Sequence, residues 1–405
     1  TTYANVSEPS QSLTNGAGLV KKKLLLEMMD QHIIVHDSSD EQGVTGPARY
    51  YMSRGGAPVL VKSKGDASNN NVGMVVNGGF QVQLNSDGYP DNDHDCVVTE
   101  GYDQTGGVAD GVKGYGNGMT YFLDRPMQPT TRSVYNVLGG DEEHFSEFFE
   151  LCNISFSEDL LKLAGFKKQI VVNAAEGTMR DMTPEEWSAE QDKYRIFTNA
   201  SGYNPAEDEK LVRFFNNYRY TVYVPTNAAI EEARAKGLPM YDDILRFIED
   251  HTVTTDGVDA LSPENQLKAQ AMITMLVNFV KYHFQDQSFF VDNVSSEGRY
   301  QTFCADNERN AFLDLTMRQT PGAITVTDGA GVTQNVVAPY NIMARDANFD
   351  RPPSSTATDI SNSSYVVIHQ VGKVLNFAPL EGGRYDGAWA TVKKARDFVR
   401  RYAVR

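Results

Sequence analysis

The sequence predicts an α+β fold in two tandem domains, residues 1–138 and 142–380, followed by a basic tail over 381–405. Three observations lead there. Residues 117–129 and 363–379 read alike: a small or turn-forming start, a strand of β-branched and aromatic residues, then a basic residue (Arg125, Lys373) and a proline (Pro126, Pro379). The two copies lie a whole domain apart, too far for the repeating units of a solenoid. In the second copy helical patterns come first and strand patterns after, the segregated order of α+β proteins rather than the alternation of a wound parallel sheet.

A second element repeats upstream of each ending. Residues 24–35 and 275–284 are apolar helical runs that lead into a histidine, His32 and His283, and then into extended chain. Glycine-broken strand patterns follow at 58–61 and 73–83 in the first copy, and at 322–326 and 333–343 in the second. Asn69-Asn70-Asn71 reads as a hairpin loop and residues 85–118, rich in Gly, Asp and Asn, as a long surface insertion.

The second domain opens on Phe145, Phe148, Phe149 and Cys152, spaced as one face of a helix. A short helix over 158–164 stops at Gly165. Thr183-Pro184-Glu185-Glu186 is a capping box with proline at the first helical position. Residues 220–224 form a strand ended by Pro225, and a helix follows over 227–235, with another over 242–248. Ser262-Pro263 caps a long helix whose buried face runs through Leu267, Ala271, Met275, Phe279 and His283.

Composition narrows the function. Acidic residues outnumber basic ones, 53 to 37, for a net charge of −16, which argues against a nucleic-acid partner. No stretch approaches the ~20 apolar residues of a membrane-spanning helix. The three cysteines, Cys96, Cys152 and Cys304, fit neither a zinc site nor a disulfide framework. Nucleophile-elbow, phosphate-loop and His-Glu-x-x-His patterns are lacking, so the sequence predicts no enzyme, no catalytic residue and no cofactor.

Residues 220–230, Tyr-Thr-Val-Tyr-Val-Pro-Thr-Asn-Ala-Ala-Ile, resemble the first signature block of fasciclin (FAS1) domains. Tyr282-His283 resembles that family's Tyr-His motif, and residues 365–375 resemble its second block. The first copy resembles the latter half of such a domain: His32 matches the histidine, Gln31 replaces the tyrosine, and no Pro-Thr-Asn block precedes them. The resemblance implies helices packed on an antiparallel β-sandwich or wedge, with the first domain lacking its N-terminal helical half. Covering helices for that half are expected from sequence upstream of Thr1 or from segments outside the chain. The resemblance also implies a non-enzymatic adhesion or accessory role at the cell surface, with a protein partner, or a glycan if the chain is a carbohydrate-binding module. The Asn-, Asp-, Gly- and Tyr-rich loops further resemble surface lipoproteins of Bacteroidetes-type bacteria. That implies outer-membrane attachment by a lipid anchor and a place in SusC/SusD-like uptake complexes.

Each candidate residue has a plain reading beside its functional one. Pro225, Thr226 and Asn227 suit a strand end and helix cap, or else a ligand contact. Tyr282 and His283, with His32 as counterpart, suit a buried histidine bonded to backbone; in some FAS1 members this region is implicated in receptor adhesion. Asp91, Asp93 and Asp95 alternate as calcium ligands can, but Cys96 stands where an EF-hand needs glycine, which favours an acidic loop. In the tail, Val392, Ala395, Phe398, Val399 and Tyr402 mark one helix face. Six basic residues there, among them Arg396, Arg400 and Arg401, oppose the single Asp397 and offer a docking face for an acidic partner or membrane surface.

Overall fold

The computed structural model describes residues 28–35, 49–86, 94–103, 118–130, 132–166, 169–173, 177–199, 210–212, 219–347 and 363–405. In the first copy, β1 (Arg49–Met52), β2 (Pro58–Ser63) and β3 (Val75–Gly78) form an antiparallel sheet in that order. Helix α1 (Gly79–Ser86) follows, and β4 (Val98–Asp103) pairs antiparallel with β5 (Met119–Leu123).

Two expectations change here. The strand expected over 73–83 is extended only at 75–78 before the chain turns into α1. The backbone at this corner is tightly covered: a Cβ on Gly78 would lie 2.3 Å from the Gln128 carbonyl oxygen, so glycine is required for the close approach. The stretch read as a surface insertion contains β4, whose Val98 is buried and donates its N–H to Met74 O at 2.9 Å.

The second copy begins with α2 (Val134–Gly140), α3 (Glu142–Cys152) and α4 (Glu158–Leu163). Of the four residues spaced along one face of α3, Phe145, Phe148 and Cys152 are buried and Phe149 is half-buried at its edge. Two hairpins, β6 (Gln169–Asn173) with β7 (Thr178–Asp181) and β8 (Phe197–Asn199) with β9 (Lys210–Val212), flank α5 (Pro184–Asp192). Both halves of the Thr183 capping box form. Next come β10 (Arg219–Pro225), α6 (Asn227–Ala235), α7 (Tyr241–His251), the hairpin β11 (Val253–Thr255) and β12 (Val258–Ala260), and α8 (Pro263–Tyr282). The strands β13 (Phe284–Asp286), β14 (Ser296–Asp306), β15 (Ala311–Thr320), β16 (Ala323–Thr327), β17 (Thr333–Ala347) and β18 (Ser363–Val371) lead to the last helix, α9 (Val392–Tyr402).

The expected sandwich or wedge is instead a closed barrel, in the order β10-β13-β14-β15-β16-β17-β18. Closure depends on β10. It pairs antiparallel with β13 and parallel with β18, matching Tyr223 to His369 and Val224 to Gln370. Register shifts in β14 between Gln301 and Ala305, and in β17 between Val337 and Ile342, supply the bends that a sheet needs to curl shut. From Tyr220 to Pro225 every residue of β10 is buried, the continuous burial typical of a strand covered on both faces.

Helix α8 was expected to bury one face; from Ala271 to Tyr282 it is buried all round. It lies between α7, α9 and the barrel strand β14, so no side of its last three turns meets water.

The sheet of the first copy has two covered faces. One packs its own core of Tyr51, Val59, Val61, Met74, Val76 and Val98, joined by Ile34. The other rests on the barrel, where Tyr50 stacks on Phe290 with ring centroids 4.0 Å apart, beside Met343 and Val367. Thr130 Oγ1 donates to Met343 O and Arg345 N to Arg132 O, pinning the connecting chain to β17. Around His32 the apolar residues divide: Met28 is half-buried, Ile34 packs inward, and Ile33 and Val35 are exposed. Removing the Phe290 ring should leave a cavity under Tyr50. Phe290→Ala is expected to cost ~3–5 kcal/mol in urea unfolding and to speed proteolysis within residues 49–86. An unchanged midpoint would separate the two halves energetically.

Candidate functional site

The sequence-predicted residues of the second copy gather where β10, α8 and β18 end. Pro225 closes β10, having no N–H to continue the ladder. Thr226 N donates to Val371 O at 3.0 Å, and its Oγ1 accepts from Ala229 N to cap α6. Asn227 reaches backward. Its Oδ1 accepts from Glu147 N, and its Nδ2 donates to Glu143 O and Ser146 Oγ, tying α6 to α3.

His283 caps α8 and is fully buried. Leu375 N donates to its Nε2 at 3.0 Å, so that nitrogen must be unprotonated, and the Nδ1–H then donates to Phe279 O at 2.8 Å. The imidazole is therefore neutral and joins the end of α8 to the chain leaving β18. Tyr282 is buried beside it and donates its hydroxyl to Asp314 O at 2.8 Å.

His32 repeats this arrangement. Met127 N donates to its Nε2 at 3.0 Å, and its Nδ1 lies 2.6 Å from Met28 O. Met127 thus answers to Leu375, and Met28 to Phe279. The setting differs: His32 is exposed, and Gln31, in the place of Tyr282, is 1% exposed with both amide atoms lacking a hydrogen-bond partner among the described residues. Where Tyr282 bonds its hydroxyl, Gln31 sets a buried amide with no hydrogen bond to the described residues.

Sequence reasoning passed over two buried groups. His369, within β18, accepts from Asn341 N at its Nδ1 and faces Phe289 O with its Nε2 at 2.8 Å. A histidine in an otherwise apolar, β-branched strand was the available signal. Lys281, one residue before Tyr282, is buried on α8; its Nζ donates to Lys193 O at 2.7 Å and lies 5.1 Å from the Phe303 ring centre. Burial pulls its pKa down to about 7. The three cysteines are buried free thiols, and burial raises the pKa of Cys96 to about 12, which leaves it a poor nucleophile.

Asp91 and Asp93 lie outside the described residues. Asp95 is held by Lys62 at 2.8 Å, Asn77 at 2.6 Å and Asn85 at 2.8 Å, contacts that fasten this carboxylate to β2, β3 and α1. Among the described residues no cluster of three or more His, Cys, Asp or Glu side chains is placed to hold a metal ion.

The basic tail helix packs against α8 and β14. Arg401 donates through Nε and Nη2 to Asp306 Oδ2, at 3.0 and 2.8 Å, at the tip of the β14–β15 hairpin. Arg400 pairs with Glu308 at 2.9 Å, while Arg396 stays exposed. The Asp306 side chain has no exposed surface. Burial raises its pKa, but the Arg401 guanidinium and the N–H groups of Arg309 and Glu308 outweigh that and leave it lowered.

No family model matches the chain, and no curated protein does. Among solved structures it is similar to a FAS1 domain pair from the insect cell adhesion molecule fasciclin I, at 12% identity, covering 90% of this chain and 84% of that one, with a TM-score of 0.24. A likeness this slight bears no weight, so the residues of the chain must carry any functional conclusion.

Two predictions follow from the buried polar groups. Burial lowers the pKa of His283 and of His369 from 6.5 to about 4. Between those values the unfolded chain binds protons that the folded chain refuses, so stability is present above 6.5 and declines as pH falls toward 4. The double variant His283→Gln and His369→Gln keeps one donor and one acceptor at each site, and its unfolding free energy should vary less with pH across that window. Separately, Arg401→Met should cost ~1–3 kcal/mol by stranding Asp306. Arg400→Met, at an exposed pair, should change stability by at most about 1 kcal/mol in the same urea titration.

Proposed function

We propose that this chain is a non-enzymatic cell-surface protein of the FAS1 type that acts by binding another protein, as an adhesion or accessory component. Its proposed setting is the outer membrane, attached by a lipid anchor and associated with a SusC/SusD-like uptake complex. One observation carries the reading. The three sequence blocks that resemble FAS1 signatures converge on one junction, and there their polar side chains bind backbone: Thr226 to Ala229, His283 to Phe279 and Leu375, Tyr282 to Asp314. Side chains held this way serve a scaffold, which supports function through surface recognition rather than bond chemistry. Net charge of −16 supports a partner other than nucleic acid. Among the described residues no helix is long and apolar enough to cross a membrane, so a lipid anchor would supply the attachment.

The test is purification of the tagged full-length protein from mildly solubilised native membranes, with a glycan array run in parallel. A protein partner retained in fixed ratio through gel filtration is the expected result. Glycan affinity without any partner would replace this reading with that of a carbohydrate-binding module. Recovery in the soluble fraction alone would remove the outer-membrane setting.

A further inference from the structure

We infer that the cavity enclosed by α9, the chain at 376–388 and the middle of α8 is a binding site for a small anionic amphiphile, an aromatic or branched aliphatic carboxylate. The surface role proposed above neither requires this site nor supplies it. The cavity measures about 460 Å³, within the range of about 300–1,000 Å³ in which proteins hold small ligands. Its inner wall is apolar and its rim charged: Met275, Phe377 and Tyr385 are buried, and Leu380, Ala388 and Phe398 are half-buried against the opening.

The walls are held in place. Phe377 packs against Phe398 and Tyr402, with ring centroids 6.2 and 5.1 Å away. Tyr385 Oη donates to Asn376 Oδ1 at 2.6 Å, and Asn376 N donates to Asp328 Oδ2 at 2.9 Å, fixing the inner side. Such a shell presents ring faces and edges to a ligand without first having to order itself.

The mouth is charged, and its cations come mainly from α9. Lys394 reaches Glu381 across the opening at 2.6 Å, and Arg400 reaches Glu308 at 2.9 Å, with Asp397, also in the lining, 3.7 Å from Arg400. Both pairs are solvent-exposed and contribute little by themselves, so an incoming carboxylate can take over either cation. Arg401, by contrast, is committed to the buried Asp306. Over residues 392–405 six basic side chains accompany the single Asp397, and at the cavity itself Arg384, Lys394, Arg400 and Arg401 stand against Glu308, Glu381 and Asp397, an excess of one positive charge in a chain of net charge −16. An apolar interior beneath the most basic helix of an acidic protein selects a ligand with an apolar body and an anionic end.

The test titrates the full chain with phenylacetate, indoleacetate and isocaproate, each beside its uncharged amide, by calorimetry and backbone amide NMR. Saturable binding of at least one carboxylate is expected, with its amide roughly tenfold weaker or more, and with weakening as salt rises. Ala388→Trp fills the cavity and should abolish binding. Should that variant fail to fold, the double variant Lys394→Gln and Arg400→Gln keeps the question decidable; it should retain its melting temperature and lose roughly tenfold or more in affinity. Absence of saturable binding by all three probes, equal binding of acids and amides, or affinity unchanged in the folded variants would each overturn the proposal.

Discussion

The structure of the second half turns on one neutral imidazole. His283 offers a single acceptor and a single donor on opposite sides of its ring, and both are used: Leu375 N on one side, Phe279 O on the other. The next residue begins β13, which pairs with β10, and β10 in turn pairs with β18, the strand whose exit His283 holds. Helix end, barrel closure and the departing C-terminal chain therefore meet at one buried point. Phe148, 5.4 Å from the ring centre of His283, and Phe279, at 4.9 Å, keep water from competing for these bonds.

The first half carries the same device in a thinner wrapping. His32 clasps Met127 as His283 clasps Leu375, yet it is exposed, and its neighbouring Gln31 is buried with no hydrogen-bond partner among the described residues. Its sheet borrows cover from the barrel through the Tyr50–Phe290 stack. A repeat in sequence has become an unequal pair in space, with the larger core supporting the smaller.

Charge divides the surface in a similar way. The basic tail folds back on the acidic body and is fastened by Arg401 to Asp306, Arg405 to Asn307 and Asn278 to the Tyr402 carbonyl. That anchorage is what makes a cavity wall out of α9, since Phe398 and Tyr402 close over Phe377 only when the helix is docked. The exposed Lys394 and Arg400 remain at its rim, where weak pairs leave room for exchange.

Whatever depended on a few neighbouring residues was legible in the sequence. Pro225 ends β10 just before α6, Ser262-Pro263 starts α8, and the capping box at Thr183 forms, because caps and turn residues act within one turn of chain. The repeated histidine could likewise be read from its place after an apolar helix. Only the tertiary structure decided the rest. It placed β4 inside an acidic, glycine-rich stretch, buried α8 on every side, and shut the sheet into a barrel through β10. It also gave Arg401 a partner 95 residues away, and built a cavity from residues as distant as Met275 and Tyr402. The physical reason is common to all of these: propensity and capping are local, whereas burial, closure and the pairing of charges depend on which surfaces the folded chain brings together.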